Sequence, residues 1–259
     1  MAFIQEQKKI FNHLLGKLRK ASFNESSGQL TVKIGKLFLG KNYGFHPYDN
    51  EFNGSLHINL KKFDCFSFLE HVVAFVLLLK SKQDSFESFE RILKTIGYRS
   101  GSLTGFISRL HYFTDWVYEN EKRGFIKDVT KEIGGKRFRK RVDFMSKNKK
   151  IYPPLMNLKN LSKIKEIENK ITKRLMYFIS KKNLRASEDW IEDGDLIGIT
   201  TKKRGLDVEH VGIAIRIGSR IHLLHASRKA GKVLVSKETL FRYLMRSKTR
   251  TGIMVARLF

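Results

Sequence analysis

The chain reads as an α+β protein, a helical first half packed against an antiparallel sheet, on three observations. Apolar residues recur at helical spacing as far as Phe178, and the period changes to two from Asp193 onward. The chain of 259 residues is 41% hydrophobic and 12% aromatic, enough to bury a core. Segregated helices and strands favour this layered arrangement. No internal repeat or low-complexity linker divides the chain, so residues 1–259 are expected to form a single domain.

Met1 to Lys20 has the pattern of an amphipathic helix with Ile4, Phe11, Leu14, Leu15 and Leu18 on one side, within a helical extension over residues 1–30. It lacks the apolar run and small-residue cleavage site of a signal peptide. Ser26 and Ser27 offer caps for a helix carrying Leu30, Ile34, Leu37 and Phe38, and Asp64 offers one for a helix from Cys65 to about Lys80. Within the latter, Val72 to Leu79 is too short to cross a bilayer and reads as buried helix. A third helix is expected over Ser85 to Ile96. After the break at Pro153 and Pro154, Leu161, Ile164, Ile167, Ile171, Leu175 and Phe178 describe another, so residues 81–185 read as a helical insertion. Strands are expected at Leu196–Thr200, His210–Ile217, Ile221–Ala226, Val233–Val235 and Gly252–Leu258.

Lys and Arg total 51 against 25 Asp and Glu, a formal charge of +26. Such a field favours an anionic partner: nucleic acid, an acidic membrane surface, or a polymer such as the bacterial cell wall. The Lys-rich runs, Lys147 to Lys150 and Lys202 to Arg204, carry neither a nucleic-acid motif nor periodic aromatics, so they read as exposed turns and no nucleic acid is expected. One cysteine excludes an internal disulfide framework and, with no close ligand pair, argues against a zinc site. No metal or cofactor is expected, and the chain is expected to be a monomer.

Cys65 falls at the first turn of its helix, where unpaired N–H groups and the helix dipole lower a thiol pKa and can hold an oxyanion. By position alone it is as readily a small core residue. The strands add a second observation. Gly218 and Ser219 fit a two-residue type II′ hairpin, in which Ile217 faces Arg220, Gly212 faces His225, and His210 lies diagonally across from His225 on one face. A three-residue turn would send the histidines to opposite faces. Gly212 and Ala214 share that face and are small enough for the Cys65 helix to approach.

The segments Asp64-Cys65-Phe66-Ser67-Phe68-Leu69-Glu70, Gly194-Asp195-Leu196-Ile197, His210-Val211-Gly212-Ile213 and His225-Ala226-Ser227 resemble, in order and context, the NlpC-type papain-like cysteine hydrolases. The block Ser108 to Trp116 and the stretch Gly205-Leu206-Asp207-Val208 are similar to the N-acetylmuramoyl-L-alanine amidase-like branch, over about Lys33 to Leu258. The resemblance implies a papain-like fold, Cys65 as nucleophile, His210 as its base and His225 as the group orienting that base. Tyr43, ahead of the nucleophile helix, is a second candidate for the oxyanion site. It further implies a peptidoglycan or muropeptide substrate, with Asp64, Ser67, Arg109, His111, Tyr112, Asp115, Trp116 and Asp207 as candidate binding residues. Arg109 would grip a carboxylate; the alternative is a structural helix with Tyr112 and Trp116 in the core and Arg109 paired to an acid. In the endopeptidase branch a serine follows the cysteine; Phe66 stands there here, which favours the bond between the sugar lactyl group and L-alanine. A stem-peptide endopeptidase or a lipid- or protein-directed hydrolase is the alternative. The family is usually exported, and the location stays open.

Overall fold

The computed structural model describes residues 2–18, 25–44, 56 and 58–259. The first helix, α1 (Ala2–Leu18), turns Phe11, Leu14, Leu15 and Leu18 inward; Arg19 and Lys20 lie outside the described residues. Helix α2 (Ser27–Leu37) starts at Ser26 through a capping box with Gln29. Helix α3 (Cys65–Lys80) starts at Asp64 through a second one with Ser67. From Phe68 to Val76 every residue of α3 is buried, as expected of a helix apolar on all sides. Helix α4 (Phe86–Gly97) packs beside it, and Phe11, Phe75 and Phe89 join α1, α3 and α4, with ring centroids 4.4–5.5 Å apart.

The rest of the chain alternates. Helix α5 (Phe113–Lys122) is followed by β3 (Ile126–Asp128), β4 (Lys136–Phe138), α6 (Phe144–Lys147), α7 (Leu158–Lys173), β5 (Met176–Ser180) and α8 (Leu184–Ser187). Then come β6 (Leu196–Thr201), β7 (Val208–Ile217), β8 (Arg220–Ser227), β9 (Lys232–Val235), α9 (Leu240–Met245) and β10 (Arg250–Leu258). With β1 (Asn42–Tyr43) and β2 (Lys62–Phe63) they form a sheet in the order β2-β1-β9-β8-β7-β6-β10-β5-β4, β3 pairing with β10. The pairings are antiparallel except β1 with β2.

Residues 81–185 are therefore not a helical insertion: three of the sheet's strands lie in them. The helical reading fails past Lys173, because Arg174 adopts extended backbone and the run Met176-Tyr177-Phe178-Ile179 pairs with β4 and β10. Leu175 and Phe178 continued a helical spacing by coincidence; Leu175 is exposed.

The sheet carries two cores. Val211, Ile213, Ile215 and Leu224 face α2 and α3, whereas Ala214, Leu223, Ile197 and Ile199 face α9 with Leu240 and Leu244. The expectation that Gly212 and Ala214 admit the Cys65 helix is thus corrected: α3 packs on the other face of β7, against its branched side chains.

Candidate active site

The hairpin joining β7 and β8 sets the register. Gly218 has φ +59° and Ser219 is not among the residues of positive φ, the pattern of a type II′ turn. Ile217 pairs with Arg220 and the pairing runs to Ile213 with Leu224. His210 and His225 accordingly share a face, and His210 Nε2 lies 2.6 Å from His225 Nδ1. Gly212 stands between them: a Cβ there would lie 3.0 Å from His225 Cβ and 2.9 Å from Leu223, so only glycine leaves His225 its place.

Beyond Ile213 the β7–β8 ladder stops, and the Val211 N–H turns to the sulfur of Cys65. The N-terminus of α3 thus meets β7 one residue from His210. Asp64 accepts from the N–H groups of Phe66 (2.9 Å) and Ser67 (2.7 Å), and Ser67 Oγ accepts from Asp64 N (3.0 Å). The cap leaves the Cys65 N–H unspent and facing its own sulfur.

The electrostatics differ from the expected low thiol pKa. Burial, and then the Asp64 carboxylate, push Cys65 up to about 12, against the smaller lowering from the N–H groups of Val211, Cys65 and Phe66. The capping acid opposes the helix dipole at the residue that would use it. Burial and then the Arg250 cation lower His225 to about 4; His210 is lowered well below its ordinary value by burial, then by His225 and Arg250. At neutral pH Cys65 is a thiol, bonded by the Val211 N–H next to His210 on β7, and both imidazoles are neutral.

Two neighbours had no signal in the sequence. The Tyr243 ring lies edge-on to His225, with centroids 5.6 Å apart, and 6.4 Å from His210. Arg250 covers its outer face at 3.9 Å, donates to its carbonyl (2.7 Å), and pairs with Glu209 (3.2 Å). Helix α9 is one and a half turns long and β10 is the last strand, so nothing in their spacing ties them to β7. Half-buried Tyr43 lies near Cys65: burial, then the charges of Cys65 and Asp64, raise its phenol pKa, keeping it a donor.

The remaining sequence candidates have partners inside the protein. Arg109 forms a two-pronged pair with Glu70 of α3 (2.6 and 2.5 Å) and donates to Gly97 O (2.8 Å). The carboxylate it grips in the structure is the protein's own, the pairing to an acid that the sequence offered as the alternative. His111 Nε2 contacts Phe106 O (2.8 Å), and burial lowers its pKa to about 3. Tyr112 donates to Glu168 (2.7 Å), Asp115 is buried between Arg99 and Arg174, and Asp207 accepts from Thr114 N and Oγ1 (2.9 Å each). Trp116 is fully buried, edge-on to Phe66 at 6.0 Å. Of these side chains Arg109 and Trp116 lie against α3, through Glu70 and Phe66. Among the described residues no cluster of His, Cys, Asp and Glu could hold a metal ion.

The family model described as "N-acetylmuramoyl-L-alanine amidase-like" (AmiA-like) matches residues 33–253. The chain is 35% identical to a solved N-acetylmuramoyl-L-alanine amidase from Bacteroides uniformis ATCC 8492, with a TM-score of 0.85, covering 90% of this chain and 98% of that one. It is 34% identical to a Bacteroides fragilis protein named as a candidate xylanase, with a TM-score of 0.80, covering 86% of this chain and 99% of that one. A Legionella pneumophila protein, 21% identical, shares the fold at a TM-score of 0.71, covering 100% of this chain and 96% of that one. No curated protein matches.

Proposed function

The chain belongs to the N-acetylmuramoyl-L-alanine amidase-like family, and on that premise we propose that it is a papain-like cysteine amidase. Its substrate is peptidoglycan or its muropeptides, and the bond it cleaves is the amide between the muramoyl lactyl group and L-alanine. The observation that carries this reading is that the Val211 N–H on β7 reaches the Cys65 sulfur, while its neighbour His210 has Nε2 2.6 Å from His225 Nδ1. With Nε2 of His210 donating to His225, its Nδ1 keeps a lone pair for the thiol proton, and His225 holds the ring in that tautomer.

Because the resting sulfur is protonated and both imidazoles are neutral, proton transfer to His210 accompanies attack rather than preceding it. The sulfur bonds to the carbonyl carbon, and the oxyanion lies near the Cys65 N–H and the Tyr43 hydroxyl. The carbon–nitrogen bond breaks as His210 returns its proton to the L-alanine amine, leaving a thioester. Water then gives a proton to His210, attacks the thioester and releases the carboxylic acid and the thiol.

Two observations weigh against the alternatives. Phe66 packs on Trp116 and Arg109 while the Ser67 hydroxyl serves the cap, so neither offers a hydroxyl to a free L-alanine amine, as the endopeptidase reading requires. Glycoside hydrolysis ordinarily needs a pair of carboxyl groups; beside Cys65, Asp64 is spent on the cap and Glu209 on Arg250.

Mass spectrometry of muropeptides treated with the wild type and with Cys65→Ala tests the proposal. Free peptide beginning at L-alanine, made by the wild type alone, is expected. Cleavage within the stem peptide would move the bond, and products independent of Cys65 would overturn the mechanism.

A further inference from the structure

The surface between α6 and α7 combines two properties. Ile151, Met156 and Leu158 are 64%, 59% and 77% exposed, a cluster of aliphatic tips in one short stretch. The same stretch of chain carries Lys147, Lys149, Lys150, Lys159, Lys163 and Lys165, and from Phe144 to Lys165 there is no Asp or Glu. The lysine ion pairs of the described residues use none of the six.

These tips are held in place. Leu155 between them is fully buried, and Leu155 N donates to Tyr152 O (2.8 Å). Asn157 caps α7, and Asn160 Nδ2 donates to Pro154 O (3.1 Å). These contacts hold the segment, a knob that carries three exposed aliphatic side chains among six lysines of the same stretch.

We propose that this knob docks the protein on the surface of an anionic lipid bilayer, Ile151, Met156 and Leu158 entering the boundary between headgroups and acyl chains and the lysines resting on lipid phosphates. Exposed aliphatic side chains are stabilised by leaving water for acyl chains, and each nearby lysine adds attraction to an anionic leaflet. The aliphatic tips select this partner over a soluble polyanion: nucleic acid would be met by aromatic platforms, and a wall polymer would need the lysines only. Among the described residues no helix is long and apolar enough to cross a membrane.

Co-sedimentation of the full chain with vesicles of phosphatidylcholine, alone or with roughly one-third phosphatidylglycerol, tests it. Binding is expected only to the anionic vesicles. The double variant Ile151→Ser, Leu158→Ser and the triple variant Lys147→Glu, Lys150→Glu, Lys159→Glu should each weaken it at least about tenfold. All five positions are exposed and outside the candidate active site, so circular dichroism, melting temperature and turnover of a soluble substrate should match the wild type. Undiminished binding by the Ile151, Leu158 variant would overturn the docking and leave a diffuse charge effect. Binding to polyphosphate that is unaffected by that variant, with no vesicle binding, would assign the surface to a polyanion instead. Either result is independent of which bond the enzyme cleaves.

Discussion

Cys65 sits where a helix should favour its thiolate, and burial, then the residue before it, work against that advantage. Removal from water, and then the Asp64 carboxylate that caps the helix beside the sulfur, hold the thiol near 12. Alkylation of Cys65 by iodoacetamide is therefore expected to stay slow at neutral pH and to rise steeply only above the ordinary thiol range of about 8.5; a rate already level near neutrality would mean a preformed ion pair. Asp64→Asn keeps an oxygen for the cap and removes the charge, so the alkylation profile should move to lower pH with little loss of stability. Asp64→Ala should also cost about 1 kcal/mol in unfolding free energy. A profile unmoved by Asp64→Asn would assign the whole elevation to burial.

Helix α3 is positioned by what lies behind it. The Arg109–Glu70 pair is nearly buried, with side chains 12% and 8% exposed, and Arg109 also lies over the Phe66 and Tyr98 rings. Removing one partner strands the other, so Arg109→Met is expected to cost about 3–5 kcal/mol in chemical denaturation. Arg109→Met in a variant that also carries Glu70→Leu should recover much of it. A large rise in KM for Arg109→Lys, with stability retained, would instead return Arg109 to substrate binding. On the sheet, Gly212→Ala forces His225 away from His210, so kcat should fall by about 100-fold, the lower range for a misplaced proton-transfer group. Its far-ultraviolet spectrum should be unchanged.

Across the whole molecule, the histidine pair makes stability depend on pH. Folded His225 holds its proton only below about pH 4 and His210 only well below its ordinary value, whereas unfolded histidines bind protons below about pH 6.5. In that window the unfolded chain carries more protons, so stability is full above it and is lost as pH falls through it. For His225 alone the depression corresponds to roughly 3 kcal/mol. The fall in unfolding free energy between about pH 7 and about pH 4.5 should be smaller in His225→Gln than in the wild type; an equal fall in both would place the acid sensitivity in the carboxylates.

Local chemistry was legible in the sequence. The caps at Ser26 and Asp64, the burial of α3, and the type II′ register that brings His210 to His225 all follow from neighbours within a few residues, where spacing is the geometry. Likeness to the N-acetylmuramoyl-L-alanine amidase-like family was legible from motifs in order, and on that the family model agrees. What crosses long stretches of chain was not. The strands β3 and β5 inside an apparently helical half are decided by pairing with β10, more than 70 residues on. Arg109 chooses between a substrate and Glu70 only once α3 stands beside it. Tyr243 and Arg250 reach the histidines through a short helix and the last strand, and the thiol pKa depends on burial that no pattern of residues reveals. Periodicity records which face of an element is apolar; which partner that face meets, and what charge then stands beside a reactive atom, is settled by packing.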